Sequence, residues 1–195
     1  SNLKAMNREN WTLTGAVTVY EGQVDISNCT FSNNKCEDAL NLVRCHFVVD
    51  SSEIKNTLSD GFDADFCTGT LKNSKFLNTG NDCIDFSGSK ISILHCTIQG
   101  SGDKGISGGE RSTLVVKDCS VENASIAIAS KDMSEVRVEN TTIEHCSFGF
   151  AAYRKKAEFG PAKIYVKSVH ISDVKSTYLI ELNSTVTING ITKVG

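Results

Sequence analysis

One apolar position recurs along this chain at almost constant spacing, and that spacing limits the architecture more than any other feature. The residues are Phe31, Ile54, Phe76, Ile98, Val121, Ile143 and Ile171, at intervals of 23, 22, 22, 23, 22 and 28. A period near 22 residues without helical patterning indicates a stack of short coils. The neighbouring columns agree. Two residues before each anchor stand Cys29, Ser52, Ser74, Cys96, Cys119, Thr141 and Val169, all small. Two residues after it stand Asn33, Asn56, Asn78, Gly100, Asn123, His145 and Asp173, residues that suit a left-handed turn. Between turns the chain alternates as strands do, in "FVVDS", "ISILH", "LVVKD" and "VRVEN". A helical solenoid would need apolar residues three and four apart, and no coil has them.

The fold expected is therefore all-β: a single-stranded parallel β-helix of about seven coils, near 22 residues each, right-handed by the general crossover preference. One domain is expected over 1–195, with a cap region at 1–16, coils at 17–185 and a closing segment at 186–195. Trp11 and Leu13 are expected to cover the first coil. The polar opening "SNLKAMNREN" carries no secretory signal, and the chain reads as a domain cut from a larger protein, with neighbouring domains as partners.

Charge and composition exclude other classes. A formal charge of -3 leaves no basic excess for phosphates, so no nucleic-acid partner is expected. No apolar run is long enough to insert in a membrane. The eight cysteines form no C-x-x-C pairs, which argues against zinc. Cys96 and Cys119 share an inward column on adjacent coils, as apolar fillers or a disulfide.

A second apolar anchor follows the first: Leu40, Phe62, Ile84, Ile106, Ile128 and Phe150. Strand alternation would turn its neighbours outward. The preceding ones are Ala39, Gly61, Cys83, Gly105, Ala127 and Gly149; the following ones are Asn41, Asp63, Asp85, Ser107, Ala129 and Ala151. An outer face this small suggests something lying flat on it, or tight turns that admit nothing larger. Cys83 is read as an outward thiol beside the acids.

Two positions before the second anchor, Asp38, Asp60 and Asp82 precede Lys104 in the next coil. Stacked roughly 5 Å apart, such carboxylates raise one another's pKa unless a cation or turn amides offset them. Three readings stay open: catalysis by Asp60, Asp82 and Lys104, with Asp63 and Asp85 on the substrate; calcium held by Asp38, Asp60 and Asp82; or acids that bond turn amides. The 28-residue interval adds a loop, "AAYRKKAEFGPAK", whose Tyr153, Arg154 and Lys155 suit an acidic glycan.

These residues resemble the pectin-lyase-like, right-handed parallel β-helix superfamily over nearly the whole chain. Three stretches resemble polygalacturonase-type hydrolases, whose coils carry N-T-D, G-D-D, G-H-G and R-I-K. "LSDGFD" places Asp60 at the first acid. "GNDCIDF" places Asp82 at the second, with Asn81 replacing an acid, and "GDKGISGG" has Lys104 where the histidine would be. Only Lys131 falls near the last basic position. The resemblance implies either a carbohydrate-binding or structural module of a bacterial extracellular or envelope protein, or a polysaccharide-active lyase, epimerase or hydrolase. Lyases and epimerases on this fold use a Lys or Arg base and Asp-bound calcium, and Asp38, Asp60, Asp82 and Lys104 have those residue types.

Overall fold

The computed structural model describes residues 6–8 and 11–195. The side chain of Trp11 lies outside the described residues, as do residues 1–5 and 9–10, so the expected Trp11 cap concerns atoms not among them. Each coil contributes one strand to each of three sheets of eight, nine and seven strands, all parallel but for the last strand of the nine. Seven complete coils and a partial eighth result. The first sheet runs through Gly15–Tyr20, Asp38–Val43, Asp60–Asp65, Ile84–Ser87, Lys104–Gly109, Ile126–Lys131, Phe148–Tyr153 and Ser176–Ile180. At one end Met6–Arg8 pairs antiparallel with Trp11–Leu13. At the other, Ile191–Val194 folds back antiparallel on Thr185–Ile188.

The expected register holds throughout. Phe76 lies between Ile54 and Ile98, and Asp63 rather than Asp65 lies beside Asp85. All seven residues of the Asn column take positive φ, from 50° at Asp173 to 75° at Gly100. Other corners do the same, with Asn28, Ser51, Asn73, His95, Asp118, Asn140 and Ser168 all near 50°. Left-handed residues there turn the chain into the next sheet at little cost when they are Asn or Gly.

The interior fills with stacked side chains. Phe47, Phe62 and Phe86 form an aromatic cluster, with Phe62 edge-on to both others at 5.3 and 5.1 Å. Leu40, Ile84, Ile106, Ile128 and Phe150 continue the second anchor, fully buried.

A ladder of hydroxyls and thiols ties the coils together inside the turns. The amide of Cys45 donates to Cys67 Sγ, that of Cys67 to Ser89 Oγ, that of Ser89 to Ser112 Oγ, and that of Ser112 to Ser134 Oγ. A second ladder runs from the Cys29 amide to Ser52 and from the Ser52 amide to Ser74, and the Cys96 amide donates to Cys119 Sγ. All eight cysteines are free thiols, and Cys29, Cys45, Cys67, Cys96 and Cys119 stand in columns where serine stands in other coils.

Strict alternation fails at one position. Ala39, Cys83 and Ala127 are buried, not outward. Pairing skips this position: Lys104 meets Ile126 and Ile106 meets Ile128, with no bridge between. The backbone kinks there, and the small column packs inward at the corner between the first and third sheets. A Cβ on Gly105 would meet Val121 and Ile98 of the core. The Cys83 thiol lies 3.1 Å from Thr79 Oγ1, and burial pushes its pKa up to about 11. It is an interior group rather than an exposed nucleophile.

Candidate functional site

The outer face of the first sheet collects most of the residues singled out from sequence. Its outward column reads Thr18, Asn41, Asp63, Asp85, Ser107, Ala129 and Ala151, each beside the next. A parallel column carries Tyr20, Val43, Asp65, Ser87, Gly109, Lys131 and Tyr153. Asp38, Asp60, Asp82 and Lys104 stand at the corner where each strand begins.

Two of the corner acids bond the coil after them. Asp60 Oδ1 accepts the Asp82 amide at 2.9 Å and the Asn81 side chain at 2.7 Å. Asp82 Oδ1 accepts the Lys104 amide at 3.0 Å. The corners are close-packed: a Cβ on Gly80 would fall 1.9 Å from Leu58 O, and one on Gly102 would fall 2.0 Å from Gly80 O. Asp38 faces Thr14 Oγ1 at 2.9 Å and Asn41 Nδ2 at 3.4 Å. The carboxyls thus turn to separate local donors. Among the described residues, no three His, Cys, Asp or Glu side chains converge as a metal set. Asp38, Asp60 and Asp82, the residues expected to hold calcium, stand on successive corners, each bonded to its own local donor.

The two lysines are committed to acids on their own face. Lys104 is buried; its ammonium pairs with Asp82 at 3.4 Å and with Asp103. Burial works against that charge, but Asp103 and Asp82 outweigh it and hold the pKa above the ordinary lysine value. A proton-abstracting lysine needs the opposite shift. Lys131 reaches back two coils, across Gly109, and places its ammonium 3.2 and 3.3 Å from the two oxygens of Asp85. A Cβ on Gly109 would lie 3.3 Å from Lys131 Cε, so the bare backbone at Gly109 leaves room for this arm. Tyr153 is near enough to Lys104 and Asp103 to feel both charges, and burial carries its phenol up to about 12. Side chains of this length account for the burial of Ser107, Ala129 and Ala151 although they point outward.

The acids nearer the N-terminal end have no lysine. Asn41 Nδ2 bridges Asp38 and Asp63 at 3.4 Å each. Burial raises Asp63 to about 9, with Asp65, Asp38, Asp85 and Asp60 adding to it. Burial likewise lifts Asp38 and Asp82 to about 6. Asp63 is thus held well above the ordinary carboxylate range, further than Asp38 or Asp82. Here the face deepens into a cleft of about 360 Å³, lined by Thr12, Thr14, Tyr20, Asp38, Asp63 and Asp65 among others. Thr12, Leu13 and Thr14, on and just after the antiparallel hairpin, wall one side.

The inserted loop frames the other end. Asp132 Oδ1 accepts the amides of Lys155 and Lys156 at 2.7 and 2.8 Å, Lys156 pairs with Glu110, and Arg111 stacks over Phe159. Lys131, Lys155 and Lys156 share a small polar cleft of about 180 Å³ with Asp85. Arg154 stands apart, exposed, beside Glu181. Thr14, Thr18, Tyr20 and Asp103 belong to this face but were not anticipated. Asp103 had a signal, since an acid beside Lys104 in sequence is its natural partner. Thr18 stands one coil before Asn41 in the regular register, whereas Thr14 had no signal, because it follows the hairpin.

Three stacked sheets, coils mostly of 22 or 23 residues and a polar track along one outer face define a β-solenoid. The chain belongs to the right-handed β-helix family: the model of the "right handed beta helix region" matches residues 14–168. No curated protein matches the chain. Among solved structures, a variant catalytic domain of a GH87 alpha-1,3-glucanase in complex with tetrasaccharides aligns at 16% identity and a TM-score of 0.39, over 85% of this chain and 50% of that one. The same enzyme domain in complex with nigerose aligns at 15% identity and a TM-score of 0.36, over 84% and 49%. QnrB1, a plasmid-mediated fluoroquinolone resistance protein, aligns at 9% identity and a TM-score of 0.22, over 82% and 92%. The chain spans about half the length of the glucanase domains it matches.

Proposed function

We propose that this domain binds a glycan along the outer face of its first sheet, as a module of an extracellular or envelope protein. One observation carries the reading. Carboxyls, an amide, threonine hydroxyls and the Tyr20 ring line one cleft, and the same straight face continues past it for several coils. Saccharides are bound by such sets: carboxyl and amide groups take ring hydroxyls, and an aromatic ring takes the apolar sugar face. A uronate polymer is the less suitable ligand, because Lys104, Lys131 and Lys156 already pair with Asp82, Asp85 and Glu110 and the cleft itself is acidic. A glycan array holding neutral, amino-sugar and uronate polymers tests the reading. Hits are expected, weakened at least tenfold by Asp63→Leu or Asn41→Leu. A blank array at high protein concentration would sink it.

One observation favours a second reading, glycoside cleavage. Burial lifts Asp63 to about 9 but Asp38 and Asp82 only to about 6, a separation of the kind that acid and base carboxyls need. Release of reducing ends from a bound polymer, lost in Asp63→Asn while binding persists, is the outcome expected of it. Binding without any release would leave the domain a binding module.

A further inference from the structure

We propose that the corner between the first and second sheets is an aromatic ridge that holds a neutral, extended β-1,4-linked glycan by the apolar faces of its sugars. The inference rests on the glycan-binding reading above and adds the polymer class and the residues that grip it.

The corner follows the last residue of each first-sheet strand. Its residues are Glu21, Arg44, Phe66, Gly88, Glu110 and Asp132, and all take positive φ, from 51° to 60°. The coils need that left-handed turn, and Asn or Gly would supply it cheaply. A bulky aromatic residue there is an outlier, and strain of this kind clusters where a side chain grips a ligand. Phe66 holds φ at 54° and is 58% exposed. Gly88 makes room for it: a Cβ there would fall 2.6 Å from Phe66 Cδ1 and 2.8 Å from its Cε1. The ring therefore lies along the stack, over the next coil, instead of entering the core.

Two more rings border the same corner. Tyr20, 43% exposed, ends the first coil's strand two coils before Phe66, and the Arg44 guanidinium lies 5.8 Å from its ring centre. Phe159, from the inserted loop, lies against Arg111 of the fifth coil at 5.7 Å. Two coils span roughly 10 Å. An extended β-1,4 chain turns each sugar over relative to the last, so the same apolar face returns once per disaccharide, at nearly that spacing. Aromatic rings take such faces by stacking. A curled α-1,4 chain does not present its faces along a straight line. Tyr20 also lines the acidic cleft, so the ridge is continuous with the face already described. Other partners fit less well. Glu21, Glu110 and Asp132 share the corner and Asp65 precedes Phe66, which disfavours a polyanion such as single-stranded nucleic acid or a uronate chain. A single file of separated rings is too narrow for a protein face, which needs a broad buried patch.

Titration calorimetry with four probes decides the matter: a β-1,4-glucose hexamer, an α-1,4-glucose hexamer, a galacturonate hexamer and a thymidine hexanucleotide. The β-1,4 hexamer is expected to bind at least tenfold more tightly than the other three. Phe66→Asn should weaken it at least tenfold and leave the thermal midpoint unchanged or higher, because Asn suits a positive φ better than Phe does. Phe66→Tyr should keep the affinity. Equal binding of the α-1,4 or galacturonate hexamer would overturn the polymer class while leaving the glycan reading intact. The oligonucleotide binding as tightly would overturn the sugar. Unchanged affinity in Phe66→Asn would overturn the ridge, and a markedly lower midpoint would overturn it too, since the ring would then serve the fold. Silence from all three saccharides would remove the glycan reading as well.

Discussion

Asp63 holds its proton because burial strips water from its carboxyl and Asp65, Asp38, Asp85 and Asp60 surround it. The sign of its effect on stability follows. Between its ordinary value of 3.8 and about 9 the folded chain binds a proton that the unfolded chain has released. Stability therefore falls as pH rises through that window and levels off above it. Asp38 and Asp82, raised to about 6, act in the same direction but only over the lower part. The part of the fall between about 6 and 9 is the one assigned to Asp63. Thermal midpoints measured across that range should drop for the natural chain and stay nearly level for Asp63→Asn. Parallel slopes in the two proteins would mean that some other group titrates.

At the scale of the strand and its turns, the ladder of hydroxyls and thiols is the device that joins one coil to the next inside the corners. Ser112 shows its worth. Its amide donates to Ser134, its hydroxyl receives the Ser89 amide, and that hydroxyl reaches the carbonyls of Phe86 and Gly109. Ser112→Ala leaves the buried Ser89 amide without a partner, which costs about 1–3 kcal/mol. Ser112→Cys should cost less than half of that, because Cys67 already fills the equivalent place for Cys45. Urea denaturation of both variants checks the order; equal losses would show that shape rather than hydrogen bonding governs the ladder. This layer was hard to read from sequence. The period was legible because an apolar anchor returns every coil and each Asn corner needs a left-handed residue, so Asn33, Asn56 and Asn78 announced their turns. The ladder mixes Cys and Ser, alike in size but unlike in bonding, and no hydropathy pattern marks the column. The inward turn of Cys83 was hidden for another reason. Alternation holds only while strands pair continuously, and pairing skips that position. At the site, the stacking of Asp60 and Asp82 could be read from spacing, whereas the reach of Lys131 across two coils depends on Gly109, a residue that advertises nothing on its own.

Across the whole molecule, coils mostly of 22 or 23 residues make each one a replaceable unit whose strands pair only with those of its neighbours. Thr68 sits beside Lys90, so excising residues 68–89 joins Cys67 to Lys90 in register. The shortened protein should keep a cooperative melt and a β-sheet circular dichroism spectrum. It would also bring Asp63 to the place Asp85 held, two coils before Lys131, where the lysine arm can reach it. The pH-dependent loss of stability between about 6 and 9 should then disappear together with the coil. A non-cooperative melt, or a slope that survives, would count against this modular account. The hydrogen bonds between coils run along the axis of the stack, and the two ends of the chain leave from opposite ends of it. A pull on those ends therefore loads a single coil's bonds at a time instead of shearing a whole sheet. Under tension the domain should lengthen in even steps of about 70 Å, the contour of one coil drawn straight, so that this fold behaves mechanically as a ratcheted extension element rather than a rigid rod.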